Sequence, residues 1–264
     1  MKVNVVAPLY EEWILTKFAR VLKEFYPKEI TLNNHADASA DINYFINYAL
    51  YEPVATKTAA WFTHPENNLF YEIANKVDWC ICHAEQYTEE LRQKGYKATT
   101  ITPGIDDIFK PKLVVGVCGK KYDGKRKGAD LLQNIKGLEW LEIKFTHSSW
   151  GGKDISFLDL PEWYQFLDYL LVPSSLEGGP IPVGEAIACG KKVIAPLEVG
   201  NVALFKKNII PYEKDSPMDL ANVLSDLYLE KKKIAKDVEK LTWKNFADNH
   251  FIIFNKICQL TKKY

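Results

Sequence analysis

No excess of charge of either sign marks this chain: 34 lysines and arginines are matched by 34 aspartates and glutamates, for a formal net charge of zero. No global field therefore draws it onto nucleic acid or anionic lipid, and any phosphate it binds must be met by a local cluster of cations. Long apolar runs are missing too. None approaches the ~18 to 20 residues that a membrane-crossing helix needs, so no membrane span is expected. The opening residues, Met1 to Pro8, lack the apolar stretch and small-residue cleavage site of a secretory signal, and a cytoplasmic protein is expected. Internal repeats and low-complexity tracts are absent. The five cysteines, Cys80, Cys82, Cys118, Cys189 and Cys258, are odd in number and mostly sit in apolar runs, which fits reduced, buried thiols better than a disulfide framework. A zinc site at Cys80, Cys82 and His83 is the alternative, but on an alternating strand the two cysteines share a face and the histidine points away, so no metal site is expected.

What the chain does have is a full globular composition, 47% hydrophobic and 26% charged over 264 residues, enough for two compact lobes or one large one. Short apolar, β-branched runs alternate with helical patterns, the signature of parallel strands joined by crossover helices. In the first half the pattern predicts strands at Val3–Ala7, Ile30–Leu32, Ile42–Phe45, Ala59–Phe62, Asp78–Cys82 and Ala98–Ile101, with helices at Glu11–Phe25, Asn68–Asn75 and Glu85–Lys94. A turn-rich segment from Thr102 to Pro111 follows, and the pattern restarts with a strand at Leu113–Cys118. The second series predicts helices over 128–135 and 182–189, a short helix from Pro161, and strands over 138–145, Tyr169–Val172 and Lys192–Ala195, with further helices to the end. The expected architecture is α/β with two Rossmann-like lobes: residues 1–105, residues 106–240, and a last segment, 241–264, closing the chain as a helix.

The stretch from Leu170 to Ala195 is the most informative. It begins as a buried strand, turns through Glu177, Gly178 and Gly179, and enters a helix near Pro182, a residue suited to the first helical position. Glu177 then stands at the carboxyl end of a strand, where open α/β sheets bind ligands, and Glu185 in the first helical turn, so both carboxylates can face one crevice. Pro180 and Pro182 carry no N–H, which leaves Gly178, Gly179, Ile181, Val183 and Gly184 as backbone donors for an anion. A plain Gly-Pro turn with a dipole-favoured Glu185 explains the same residues about as well. A second element is basic: Lys120, Lys121, Lys125, Arg126 and Lys127 cluster beyond the end of a strand in an otherwise neutral chain. Such charge suits a diphosphate, both in binding and as a leaving group. His64, just past the strand Ala59–Phe62, and His35, in the polar loop Asn33–Asp41, are further candidates; the second reads equally as a surface turn.

The run Glu177-x7-Glu185, with Gly-Gly-Pro-Ile-Pro between and Ala-Ile-Ala-Cys-Gly-Lys-Lys-Val-Ile-Ala after, closely resembles the donor-site motif of retaining GT-B glycosyltransferases of family 4, the glycogen synthase and sucrose synthase superfamily. Val77–Gly95, Pro103-Gly-Ile-Asp106 with Phe109 and Pro111, Val115–Lys121 followed by Arg126–Leu132, and Leu241–Ala247 resemble other segments of that family in the same order, covering most of residues 59–250. The resemblance implies a metal-independent, retaining transfer of a hexose-type sugar from a UDP- or GDP-linked donor to a hydroxyl acceptor, with no cofactor. It implies Glu185 on the ribose, Glu177 with Gly178, Gly179, Pro180 and Ile181 on sugar and phosphate, Lys120 and Lys127 on the diphosphate, and His64 near the reacting carbon. It also implies a donor crevice between the lobes and a last helix that returns to the N-terminal lobe. Lys121, Lys125 and Arg126 are left as a solvated loop. The N-terminal lobe is short for the family, and the loop Ala7–Glu12 lacks its usual glycine pair, which leaves the acceptor class open. Nothing resembles the Asp-x-Asp metal motif of the other transferase fold. Competing readings are a transferase acting on modified DNA bases, less favoured at zero net charge, a non-catalytic nucleotide-sugar binder, and a sugar-nucleotide epimerase.

Overall fold

The computed structural model describes residues 1–9, 13–65, 68–122 and 126–260. In chain order the elements are β1 (Val3–Val6), α1 (Ile14–Phe25), β2 (Ile30–Asn33), β3 (Ile42–Phe45), β4 (Lys57–Phe62), α2 (Leu69–Ala74), β5 (Trp79–Cys82), α3 (Glu85–Gln93) and β6 (Ala98–Thr100). They continue as β7 (Leu113–Val117), α4 (Ala129–Ile135), β8 (Leu141–Phe145), α5 (Leu160–Gln165), β9 (Tyr169–Leu171), α6 (Ile181–Ala188), β10 (Lys192–Ile194), β11 (Ile209–Ile210), α7 (Pro217–Ala235) and α8 (Trp243–Gln259). The chain divides into two compact units, Met1–Phe109 with Val238 onward, and Lys110–Asp237. Each is an α/β unit built on its own all-parallel sheet, ordered β2-β1-β3-β4-β5-β6 in the first and β11-β10-β9-β7-β8 in the second. No helix among the described residues is long and apolar enough to cross a membrane.

A parallel sheet covered on both faces needs strands that are apolar on both faces, and the strands comply. Val5, Tyr44, Trp61 and Ile81 turn to one side of the first sheet, where Phe18 and Leu22 of α1 and Phe246, Ile253 and Phe254 of α8 complete a core. Val6, Phe45, Phe62, Cys80 and Cys82 turn to the other, under Phe70, Ile73 and Leu91 of α2 and α3. The C-terminal helix thus packs within the first unit, as the resemblance implies. Thr242 caps it, its hydroxyl accepting from Asn245 N–H at 3.0 Å. The turn before the second unit is fastened to this cap: Asp106 accepts from Trp243 Nε1 and from Lys17 Nζ, each at 2.5 Å, and Ile105 N–H donates to the Leu241 carbonyl at 2.8 Å. Gly104 is required there by proximity, because a Cβ at that position would lie 2.4 Å from the Trp243 nitrogen. The hydrogen bonds of Lys17 and Trp243 hold the Asp106 carboxyl below the usual carboxylate range.

Between β2 and β3 no helix covers the crossover; residues 34–41 suffice, and buried asparagines hold them. Asn4 donates to the His35 carbonyl at 3.0 Å, and Asn43 both donates to the Asp37 carbonyl at 2.9 Å and accepts from its N–H at 2.7 Å. His35 itself pairs with Glu52 at 2.8 Å. Side-chain amides thus replace a helix in satisfying this loop.

His250 lies fully buried on α8. Its Nδ1 is 2.9 Å from the Phe246 carbonyl, which can only accept, so Nδ1 carries the proton and Nε2 accepts from the Tyr44 hydroxyl at 3.0 Å. Burial pushes its pKa down to about 4, so the imidazole is neutral.

Candidate functional site

Sheet order places the site of the second unit. From β7 the chain moves outward to β8, and from β9 it moves the opposite way through β10 to β11, so β7 and β9 are neighbours across which the winding reverses. Crevices outside the carboxyl ends of such a strand pair are where open α/β sheets take ligands. A cavity of about 270 Å³ lies there, walled by Val117 at the end of β7 and Cys118 to Lys120 beyond it, Leu170 to Ser174 of β9 and beyond, Lys127, and Glu177 with Gly179 to Pro182.

Lys127 and Glu177, fifty residues apart in sequence, meet at this cavity as a hydrogen-bonded ion pair. Only 17% of the lysine side chain and 12% of the glutamate side chain remain exposed. The pair exists because the loop before α4 is pressed onto the end of β9. Ser175 N–H donates to the Arg126 carbonyl at 3.0 Å. Gly128 adopts φ +68°, where a Cβ would come 2.1 Å from the Pro173 carbonyl oxygen; a side chain there would push Lys127 out of the site.

Among the other basic residues, Lys120 is exposed and lines the cavity. Lys121 and Arg126 turn instead to aromatic faces, Nζ 5.7 Å from the Trp150 ring and the guanidinium carbon 5.1 Å from the Tyr122 ring. Lys125 lies outside the described residues, as do Glu11 and Glu12 of the loop after β1.

The glycine-proline turn enters α6 with Ile181 as its first residue and Pro182 second, one residue earlier than the proline pattern suggests. No acidic residue falls in the first turn, so Glu185, the fifth residue of α6, sits one residue deeper than expected from sequence and just past that turn. Val183 N–H is also spent, donating to the Pro180 carbonyl at 3.1 Å. Gly178 is exposed, whereas Gly179, Pro180 and Ile181 line the cavity. Glu185 lines a second, largely apolar cavity of about 300 Å³ with Phe157, Leu158, Pro161 and Ala188, rather than the one that holds Glu177. The two cavities flank one side chain: the Tyr164 hydroxyl donates to Glu185 Oε2 at 2.8 Å and lies 3.7 Å from the sulfur of Cys118, which walls the first cavity. Burial keeps the Tyr164 hydroxyl protonated far above its ordinary range, so it serves Glu185 as a donor.

Tyr164, Trp150 and Tyr122 are absent from any motif. Trp150 walls the first cavity and donates from Nε1 to the Gly119 carbonyl at 3.0 Å, a position set by how the segment after β8 folds back. Asn201 packs its amide against Gly179, 3.4 Å from where a Cβ would stand.

In the first unit His64 follows β4, is exposed, and its carbonyl accepts from the Tyr48 hydroxyl at 3.2 Å. Cys80 and Cys82 are buried thiols that burial holds above the ordinary thiol range, the second at about 11, while His83 is exposed beyond the strand end. Among the described residues no group of three His, Cys, Asp or Glu side chains is placed to hold a metal ion.

No protein-family profile matches the chain, and no curated protein does. Solved structures do. A sucrose-phosphate synthase from Thermosynechococcus elongatus aligns at 15% identity over 96% of this chain and 82% of its own, TM-score 0.38. Anabaena Alr3699/HepE in complex with UDP and glucose aligns at 12% over 97% of this chain and 100% of its own, TM-score 0.40. The lipopolysaccharide outer core galactosyltransferase WaaB aligns at 14% over 97% and 100%, TM-score 0.39. At these scores the likeness carries no activity over to this chain.

Proposed function

We propose that the protein is a glycosyltransferase of the GT-B type, related to family 4, which moves a sugar with retention from a nucleoside diphosphate donor, UDP- or GDP-linked, to a hydroxyl acceptor without a metal ion. The observation that carries this reading is the Lys127–Glu177 pair at the β7/β9 reversal, beside a helix N-terminus with glycine N–H groups. A diphosphate leaving group develops charge as its bond to the sugar breaks, and Lys127 with Lys120 supplies the opposite charge from the protein itself. Glu177, held beside Lys127, accepts from sugar hydroxyls, and the Gly178, Gly179 and Ile181 N–H groups serve sugar and phosphate. Pro180, having no N–H, shapes the turn.

Glu185 receives the ribose hydroxyls, its carboxylate oriented by Tyr164. Phe157 and Leu158, 78% and 86% exposed beside it, offer apolar surface to a base. His64 serves the transferred sugar; His64→Ala is expected to slow transfer about tenfold, ~1.4 kcal/mol of barrier, with Tm unchanged. In a retaining same-face displacement a donor phosphate oxygen takes the proton of the acceptor hydroxyl as the new bond forms. The test is nucleoside diphosphate release from a panel of nucleotide sugars with and without acceptors, run in EDTA, with the product anomer read by NMR. Turnover in EDTA with the donor's anomeric configuration kept supports the reading. An inverted product, activity lost in EDTA and restored by a divalent ion, or an isomerised donor sugar without acceptor contradicts it.

A further inference from the structure

The second sheet ends on a strand unlike the other edges. β2, β6 and β11 are edges of four, three and two residues, whereas β8 runs five, Leu141-Glu-Ile-Lys-Phe145, with every side chain half-buried and no strand beyond it among the described residues. Leu113 N–H donates to the Trp140 carbonyl and Thr146 N–H to the Val117 carbonyl. In a parallel register this turns the main chain of Glu142 and Lys144 to β7 and that of Leu141, Ile143 and Phe145 to the open side. An open edge of this length is a template for another strand.

The side chains say which strand. On one face Leu141, Ile143 and Phe145 join Leu132, Ile135 and Trp150 at a hollow of about 280 Å³ that Lys121, Gln133 and Lys136 also line. On the other, Glu142 and Lys144 are 43% and 41% exposed and touch each other at 3.1 Å. Two copies of this strand set antiparallel about Ile143 place each Glu142 opposite a Lys144 and each Leu141 opposite a Phe145. A parallel in-register pairing would set like charges side by side instead. The geometry points to a two-fold homodimer formed by antiparallel β8–β8 addition, which joins the two five-stranded sheets into one. The Ile143 pair exchanges both main-chain hydrogen bonds, and each Phe145 N–H reaches the partner's Leu141 carbonyl. Leu141 N–H is not needed, since it already donates to the Leu138 carbonyl at 2.9 Å.

The test is sedimentation velocity on the full chain up to about 100 µM, a range that detects association at micromolar Kd. Wild type is expected to show a monomer–dimer equilibrium. Glu142→Lys or Lys144→Glu makes the edge self-repelling and is expected to weaken self-association about tenfold or more. An equimolar mixture of the two single variants, one edge all basic and the other all acidic, is expected to form dimers again, and so is the double variant carrying both exchanges. Both side chains are exposed enough for the variants to fold, which circular dichroism checks, and the mixed sample reports even where one variant is poorly behaved. Wild type monomeric throughout, a dimer indifferent to both single reversals, or a mixture no better associated than its components would overturn the proposal.

Discussion

Removing Lys127 separates what the Lys127–Glu177 pair does for folding from what it does for a ligand. Lys127→Met keeps the aliphatic stem and deletes the ammonium, leaving the Glu177 carboxylate, only 12% exposed, without its ion-pair partner. Losing a charged hydrogen bond at such a site costs about 1.5 to 3 kcal/mol. For a chain of this size that lowers Tm by roughly 3 to 5 °C. The double variant Lys127→Met/Glu177→Gln removes both charges and is expected to regain most of that stability, because no carboxylate is left stranded. Calorimetric titration with inorganic pyrophosphate gives the second readout. Lys127→Met is expected to bind about tenfold to a hundredfold more weakly, the same 1.5 to 3 kcal/mol, and the double variant to stay weak although it is stable. Glu177→Gln alone, with Lys127 relieved of its carboxylate competitor, is expected to bind pyrophosphate more tightly than wild type. A double variant that regains affinity together with stability, or a Lys127→Met protein that loses neither, refutes the assignment of Lys127 to a diphosphate.

Gly128→Ala forces a side chain onto a left-handed backbone and against Pro173, so a loss of at least about 1 to 3 kcal/mol in urea unfolding is expected, together with loss of pyrophosphate binding; an unchanged protein would contradict the account of the loop. Tyr164→Phe removes the donor that orients Glu185 and is expected to weaken nucleoside diphosphate binding several-fold, about 1 kcal/mol, while leaving pyrophosphate binding alone; equal effects on both would place Glu185 away from the ribose. His250, with its pKa lowered to about 4 in the folded state against about 6.5 unfolded, makes the unfolded chain the better proton binder between those values. Stability should hold above pH 6.5 and fall by up to about 3 kcal/mol as pH drops towards 4. The paired change Tyr44→Phe/His250→Phe should flatten that slope in urea midpoints measured from pH 7 to 5, and a wild-type profile already flat over that range would contradict a buried neutral imidazole.

Sequence reasoning reaches the architecture because a buried parallel strand must be apolar throughout, and runs such as Ala59–Phe62 and Asp78–Cys82 stand out between helical patterns. It errs at ends and in short pieces. Helix α6 starts at Ile181 because the residue before a proline can still begin a helix, and β11, two residues long beyond a lysine pair, offers too little to read. The candidate site is legible as separate signals, a lysine cluster and a Glu-x7-Glu run, each tied to its own strand end. What no pattern discloses is the pairing of Lys127 with Glu177, which depends on Gly128 meeting Pro173, or the Tyr164 hydroxyl beneath Glu185, which depends on where α5 packs. The buried His250 escapes for the same reason, since a histidine in a helical pattern reads as polar until Tyr44 and the Phe246 carbonyl are seen to satisfy it.

Thermal unfolding of wild type against a panel of nucleoside diphosphates and their sugars tests the central claim most directly. A ligand at about 100 times its Kd stabilises the folded state by about 2.7 kcal/mol, and one base is expected to raise Tm clearly above the others, an increase that Lys127→Met abolishes. A wild-type Tm indifferent to every nucleoside diphosphate and nucleotide sugar at millimolar concentration would contradict a donor site in residues 110–237.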